Sequence, residues 1–218
     1  MSTPHHPPNG IEALCLRAVQ EAGVDGAGVS MLSRDGTPDP VFATDVLSAL
    51  VEDLQFTLGV GPCFDAVATQ APVLVGDLTN PDQEVADGPF RDEAASAGIR
   101  AVFAVPVGVA GRVLGTLDLY RGSPGPLSSS QLRRTLATAD AIGGALLDGG
   151  ALPPNALEHV RHRAAVHQAA GMVMMQMDVS IEEALLVLRA TAYAEGTSIN
   201  ELAAALVDGR RRFAREQA

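Results

Sequence analysis

Arg163-Ala-Ala-Val166-His167-Gln168-Ala169-Ala170-Gly171-Met172-Val173-Met174 opens the stretch 163–207, whose reading decides how this chain is built. Two Ser-x-x-Glu patterns punctuate it, Ser180-Ile-Glu-Glu183 and Ser198-Ile-Asn-Glu201. Each is a capping box, in which the serine hydroxyl accepts from an orphan amide of the first turn while the glutamate reaches back to the serine N–H. Two helix starts follow. Apolar residues recur at helical spacing in three pieces: Val166, Ala169, Val173 and Met177; Ile181, Ala184, Leu185, Leu188 and Ala192; Ile199, Leu202, Ala203 and Leu206. Each piece has one face to bury. The connections at Asp178-Val179 and from Glu195 to Thr197 are short enough for the pieces to fold back as an all-α three-helix unit.

Upstream, helices and strands alternate. Ile11, Leu14, Cys15, Ala18, Val19 and Ala22 make an amphipathic entry helix, and Gly23 stops it. Residues 27–32 and 41–43 read as a hairpin around Asp35-Gly36 and Thr37-Pro38-Asp39-Pro40. Helical spacing at Val46, Leu47, Leu50, Val51 and Leu54 breaks at Gly59-Val-Gly-Pro62, and Pro62 starts another short helix. A strand at Val73-Leu-Val75, a loop at 77–82 and a helix from Phe90 to Ala97 follow. The two most apolar runs, 101–109 and 113–120, flank a turn at Ala110-Gly111-Arg112 and should be paired central strands. Ser128-Ser-Ser-Gln131 is a third capping box and opens a helix to 148. This order predicts an α+β domain with a central antiparallel sheet flanked by helices. Its last helix should return beside the entry helix, and that pair is a natural dimer surface. The expected organisation is a disordered leader at 1–10, a first domain at 11–148, a Gly/Pro-rich linker at 149–155 and the helical module at 156–218.

At 218 residues with 47% hydrophobic content, the chain can build a medium domain and a small one. It has no run near the ~18 consecutive apolar residues of a membrane span, and no basic-then-apolar signal pattern, so we expect a cytoplasmic protein. Two cysteines, Cys15 and Cys63, make neither a disulfide framework nor a CxxC metal pair. The net charge of −11 argues against nucleic-acid binding through bulk electrostatics. Residues 156–218, however, hold seven arginines against eight acids, about −1, so the first 155 residues carry −10. All fifteen basic residues are arginine.

The run Ala169-Ala170-Gly171-Met172-Val173-Met174, with Ala184-Leu185-Leu186-Val187-Leu188-Arg189 and Ile199-Asn200-Glu201-Leu202-Ala203 after it, resembles the ANTAR domain, an RNA-binding output module of bacterial transcription antitermination regulators. Ala170 stands where that family has lysine, and Leu185 where it has an aromatic. The upstream residues resemble a GAF domain. This rests on Glu52-Asp-Leu-Gln-Phe56, Gly61-Pro62-Cys63-Phe64-Asp65-Ala66, Val73-x-Val75-x-Asp77-Leu78, Val105-Pro106-Val107 and Gly115-x-Leu117-x-Leu119-Tyr120-Arg121. The resemblance implies a sensor for a small molecule, a homodimer, and RNA stem-loops overlapping terminators as partners. By motif position it implies an RNA face of Gln168, Ala169, Ala170, Gly171, Arg189 and Tyr193. The basic end Arg210-Arg211-Arg212-Phe213 suits phosphate contact and stacking, although a helix C-terminus also favours arginines.

Catalysis finds no motif: there is no GxSxG elbow, P-loop, HExxH or DxDxDG loop, and no cofactor is implied. His159 and His162 stand three apart without a carboxylate or cysteine to complete a metal set. Met172, Met174, Met175 and Met177 suit either a bundle core or a flexible partner surface. Two alternatives stay open. One is a sensor and dimerisation protein whose RNA binding has decayed, acting through protein partners. The other is a thiol-based redox sensor or enzyme using Cys63, since Gly61-Pro62-Cys63 places a thiol at a helix N-terminus, where the dipole lowers its pKa.

Overall fold

The computed structural model describes residues 10–33, 36–80, 88–148 and 156–213, with backbone alone at 156–163 and 182. The expected leader before Gly10, the linker 149–155, Asp35 of the hairpin turn and the side chains of His159 and His162 lie outside the described residues. The chain divides into two compact units, the first carrying the sheet and ending at Ala156, the second running from Leu157 and counting Thr57–Gly59 with it.

In the first unit the elements are α1 (Ile11–Ala22), β1 (Gly26–Leu32), β2 (Pro38–Ala43), α2 (Val46–Leu58), α3 (Pro62–Thr69), β3 (Val73–Val75), α4 (Gly88–Ser96), β4 (Ala101–Val109), β5 (Arg112–Arg121) and α5 (Ser129–Leu147). The strands form one five-stranded antiparallel sheet in the order β2-β1-β5-β4-β3. As expected, the two most apolar runs pair with each other. β5 sits at the middle, bonded to β4 on one side and β1 on the other. The hairpin differs from expectation: β2 begins at Pro38, with Leu32 opposite Pro38 and Ser30 opposite Pro40. An edge strand can hold prolines because a missing N–H on its outer side removes no ladder bond.

Side chains alternate between the two faces of the sheet. Ala27 and Val29 of β1, Phe103 and Val105 of β4, and Leu117 and Leu119 of β5 pack with Ile11, Cys15 and Ala18 of α1 and Ala139 and Ile142 of α5 into the main core. α1 ends at Gly23, whose left-handed φ of 60° turns the chain away. Its free carbonyls are then met by side chains. Arg121 donates to Ala22 O at 2.9 Å and to Gly23 O at 3.0 Å, and Gln131 Nε2 donates to Ala22 O at 2.6 Å. The Ser128–Gln131 capping box is present at the start of α5.

The second unit holds α6 (Ala156–Met177), α7 (Ile181–Glu195) and α8 (Ile199–Val207). Both expected capping boxes are formed, with Glu183 N–H donating to Ser180 Oγ and Glu201 N–H to Ser198 Oγ, each at 3.1 Å. α6 ends where Asp178 takes a φ of 61°, and α7 ends at Gly196 in a Schellman turn, its N–H bonded to Tyr193 O and that of Thr197 to Ala192 O. The apolar stripes of the three helices are buried, from Val166 to Leu206, with two exceptions, Met177 at the end of α6, which is half-buried, and Ile181. Ile181 is 40% exposed. As the first residue of α7 it has no preceding turn to lie over, and a helical side chain covers the turn N-terminal to its own Cα.

Two adjacent glycines of α5 give a test of this packing. A Cβ at Gly143 would lie 2.5 Å from the Gly108 carbonyl oxygen of β4, whereas one at Gly144 meets nothing. Gly143→Ala should lower stability by about 1–3 kcal/mol through overpacking, and Gly144→Ala should raise it by up to ~1 kcal/mol through helix propensity. Urea denaturation of the two variants reads the opposite signs directly.

Candidate functional site

The residues singled out in the helical module do not share one surface. Gln168 is exposed on α6, and Gly171 follows it by one turn. A Cβ at Gly171 would meet nothing within 4 Å outside its own helix, so no packing partner requires the glycine; the position leaves bare backbone open. Ala169 and Ala170, in contrast, are fully buried, which corrects their expected place on an RNA face. With Val166 and Val173 they complete the i, i+3, i+4, i+7 stripe that α6 turns inward. The position where the related modules carry lysine is thus one where a charge would have to be buried here. On α7, Arg189 and Tyr193 stand four residues apart on one face, and Tyr193 is 52% exposed.

The arginine run also departs from expectation. α8 ends at Val207, and Gly209 at a φ of 71° reverses the chain, so Arg210 to Arg212 follow the helix instead of finishing it. Arg210 pairs with Asp208 at 2.9 Å. Arg211 makes a two-pronged contact with both carboxylate oxygens of Glu195, each at 2.5 Å, and its guanidinium lies 5.7 Å from the Phe213 ring centre. The Glu195 carboxyl is held below its usual range by this arginine. The Phe213 N–H donates to Gln176 Oε1 on α6 at 2.9 Å. This segment straps the ends of α6 and α7 together, and Arg212 is left exposed in it.

The first unit carries a site that sequence reasoning missed. On the face of the sheet opposite the main core, Ser30, Glu52, Gln55, Thr116 and Asp118 are all at most 2% exposed. Ser30 Oγ donates to Glu52 Oε2 in a short bond, and Thr116 Oγ1 donates to Asp118 Oδ2 at 3.1 Å. Gln55 Oε1 accepts the Cys63 N–H at 2.8 Å, while its Nε2 is buried without a hydrogen-bond partner. Burial pushes the Asp118 carboxyl up, and hydrogen bonds from Glu52 and Thr116 offset this only in part. The available signal was the alternation Thr116-Leu-Asp118-Leu within a strand otherwise reading as buried on both faces.

Cys63 lies beside this cluster at the second position of α3, after Gly61 and Pro62. Its thiol is buried, and burial together with the Asp118 and Glu52 charges pushes it well above the ordinary cysteine value. That is the reverse of the lowering expected from the helix N-terminus, and it removes the basis for a reactive thiolate. Cys15 is likewise buried and pushed up to about 12, first by burial and then by Glu52 and Glu12. A separate groove of about 380 Å³ at one end of the sheet is lined by Met31, Leu32, Arg112, Val113, Leu146 and Leu147.

With this geometry in place, the relatives can be named. The GAF domain family matches residues 11–146 and the ANTAR domain family matches residues 155–207. Among solved structures, the chain is similar to a domain of a putative two-component sensor histidine kinase from Sinorhizobium meliloti 1021, at 18% identity and TM-score 0.50, covering 69% of this chain and 93% of that one. It is also similar to the GAF domain region of a putative membrane protein from Geobacter sulfurreducens PCA, at 14% identity and TM-score 0.51, covering 62% and 89%. A third is the GAF domain of a phosphoenolpyruvate-protein phosphotransferase from Coxiella burnetii, at 18% identity and TM-score 0.50, covering 66% and 88%. At these identities the likeness is one of fold. No curated protein matches the chain.

The burial of both thiols predicts their chemistry. Neither Cys15 nor Cys63 should be alkylated by iodoacetamide in the folded protein at pH 8, and both should react fully once it is denatured. Mass spectrometry of the labelled peptides reads this, and fast native labelling of Cys63 would overturn the packing assignment.

Proposed function

Because the chain belongs to the GAF domain family and carries an ANTAR domain behind it, we propose that it is a cytoplasmic, signal-responsive regulator whose GAF unit controls RNA binding by the helical unit in transcription antitermination. Both domains are regulatory in kind, and the observation that carries the reading is their order along one chain. The partners are RNA stem-loops overlapping terminators and a small-molecule ligand of the first unit. Among the described residues no helix is long and apolar enough to cross a membrane. The chain acts as a homodimer joined along α1 and α5, whose outer faces carry Leu16 and Leu136. The segment 149–155 links sensor to output.

On the second unit the RNA face comprises Gln168 and the open backbone at Gly171 on α6, with Arg189 and Tyr193 on α7. Bases splayed from a loop stack on aromatic and guanidinium planes and are read at their edges, which a small helical surface can do. Support for this choice comes from Gly171. Glycine within a helix costs roughly 0.5–1 kcal/mol relative to alanine, and nothing packs against it here in return.

The full chain, crosslinked to RNA from its own cells and followed by sequencing of the bound RNA, should enrich a shared stem-loop ahead of terminators. An Arg189→Ala, Tyr193→Ala double variant should lose that enrichment, since one base–aromatic stack is worth roughly 1–3 kcal/mol. Gly171→Ala should be more stable than the parent yet bind RNA more weakly, which separates loss of contact from loss of fold. Absence of any enriched RNA at low salt, where electrostatic contacts are strongest, would end the direct-binding reading.

A further inference from the structure

The groove at one end of the sheet lies within the first unit, where three elements meet: the end of β1, the start of β5 and the last turn of α5. Met31, Leu32, Val113, Leu114 and Leu146 around it are half-buried, and Leu147 is 61% exposed. Six apolar side chains thus border one concave space of about 380 Å³. Exposed apolar residues scattered singly need no explanation, but a contiguous set marks a binding surface. The volume falls within the roughly 300–1,000 Å³ of small-molecule sites. Met31 and Leu146 also pack against the main core, so the groove is continuous with it.

One charged residue lines the space, and it is a cation. Arg112 is exposed, and among the described residues no hydrogen bond or ion pair holds its guanidinium. The guanidinium groups of Arg100, Arg121 and Arg134, in contrast, all donate to carbonyl oxygens of the same unit. No carboxylate lines the groove, although the first 155 residues carry a net charge of −10. A guanidinium fork matches a carboxylate in shape and charge. The other end of the groove is unsuited to an anion, because α5 finishes there with its carbonyls and the exposed Asp148. The two ends therefore fix an orientation for an amphiphilic guest, acid group at Arg112 and apolar body toward α5.

We propose that this groove binds a small apolar carboxylic acid, its carboxylate on Arg112 and its hydrocarbon body against Met31, Leu114, Leu146 and Leu147. The guest ties the ends of β1 and β5 to the last turn of α5, the turn that precedes residues 149–155, and so steadies the end of that helix. This names a ligand class for the sensor unit and, for its regulatory meaning, rests on the function proposed above. Binding itself does not depend on RNA.

The test is an NMR titration of the full chain, carbon-13 labelled at its methionine methyls, with sub-micellar octanoate. Met31 reports on the groove, whereas Met172, Met174, Met175 and Met177 report on α6. The Met31 signal, assigned by its absence in Met31→Leu, should shift and saturate. A shift that never saturates, or one confined to the α6 methionines, would overturn the proposal. Octylammonium, with the same chain and the opposite charge, should bind at least about tenfold more weakly. Arg112→Gln, a change at an exposed position, should weaken octanoate about tenfold and leave octanol binding unchanged. Equal affinity for octanoate and octylammonium, or an unchanged octanoate affinity in the variant, would refute the role of Arg112. Amide exchange at 145–148 should slow on saturation, and unchanged exchange there would refute the link to α5. Failure of the Met31 shift leaves the RNA crosslinking result untouched, and absence of bound RNA leaves this titration untouched, so the two readings fail separately.

Discussion

Strand β5 is hydrogen-bonded along both edges, and helices cover both faces of its sheet, so every residue from Gly115 to Tyr120 is buried. The strand nevertheless contains a carboxylic acid. An isolated ionised carboxylate in such a place costs far more than a single hydrogen bond returns, so it must be neutralised or paired. Much of the surrounding sequence answers that demand. α2 supplies Glu52, β1 supplies the Ser30 hydroxyl, and Gly28 is bare because Glu52 occupies its side-chain space. One step along, Gly26 makes room for Asp45, Ser48 and Tyr120 in the same way. The run Gly26-Ala-Gly-Val-Ser30 alternates because its even positions face this polar layer and its odd ones face the apolar core.

The same burial decides the behaviour of Cys63. A helix N-terminus favours a negative group by roughly 0.3–1 kcal/mol at exposed sites and about 2 kcal/mol at best. Full burial can shift a titrating group by about 3–5 pKa units, with each unit about 1.4 kcal/mol. Desolvation therefore outweighs the dipole, and the nearby Asp118 and Glu52 act in the same direction. Position on a helix predicts a thiol's reactivity only after its access to water is known.

Elements specified by neighbours in sequence were legible. The three capping boxes each need only a serine and a Glu or Gln three residues on, and all three are formed. The strand pair 101–109 with 113–120 needed only its apolar content and a short turn. The buried polar cluster was not legible, because positions 30, 52 and 118 meet only through the sheet order and the docking of α2. Ala170 is a different case. The spacing 166, 169, 170, 173 already places it on the inward stripe of α6, but reading it by motif position assigned it to a surface. Where periodicity and motif disagree, burial follows the periodicity, because the helix must hide that face whatever its relatives bind. Gly209 was likewise a visible stop before the arginine run, and the dipole explanation for those arginines lapses once the helix ends at Val207.

The charge balance of the second unit shapes how it would hold RNA. Its arginines are nearly matched by acids, and two of the three at its end are committed, Arg210 to Asp208 and Arg211 to Glu195. Glu195 is itself pulled below its usual range by Arg211, so that pair stays ionised at any pH where RNA binding matters. Among the described residues Arg212 is exposed beside these pairs, and the salt dependence of binding scales with the number of phosphates neutralised. Affinity on the proposed face must then come from stacking on Tyr193, from Arg189 and from close approach at Gly171. These contacts depend on base identity and loop shape more than on phosphate density. A face of this kind, on a chain of net charge −11, would meet nucleic acid against long-range repulsion and would hold only a loop shaped to fit it.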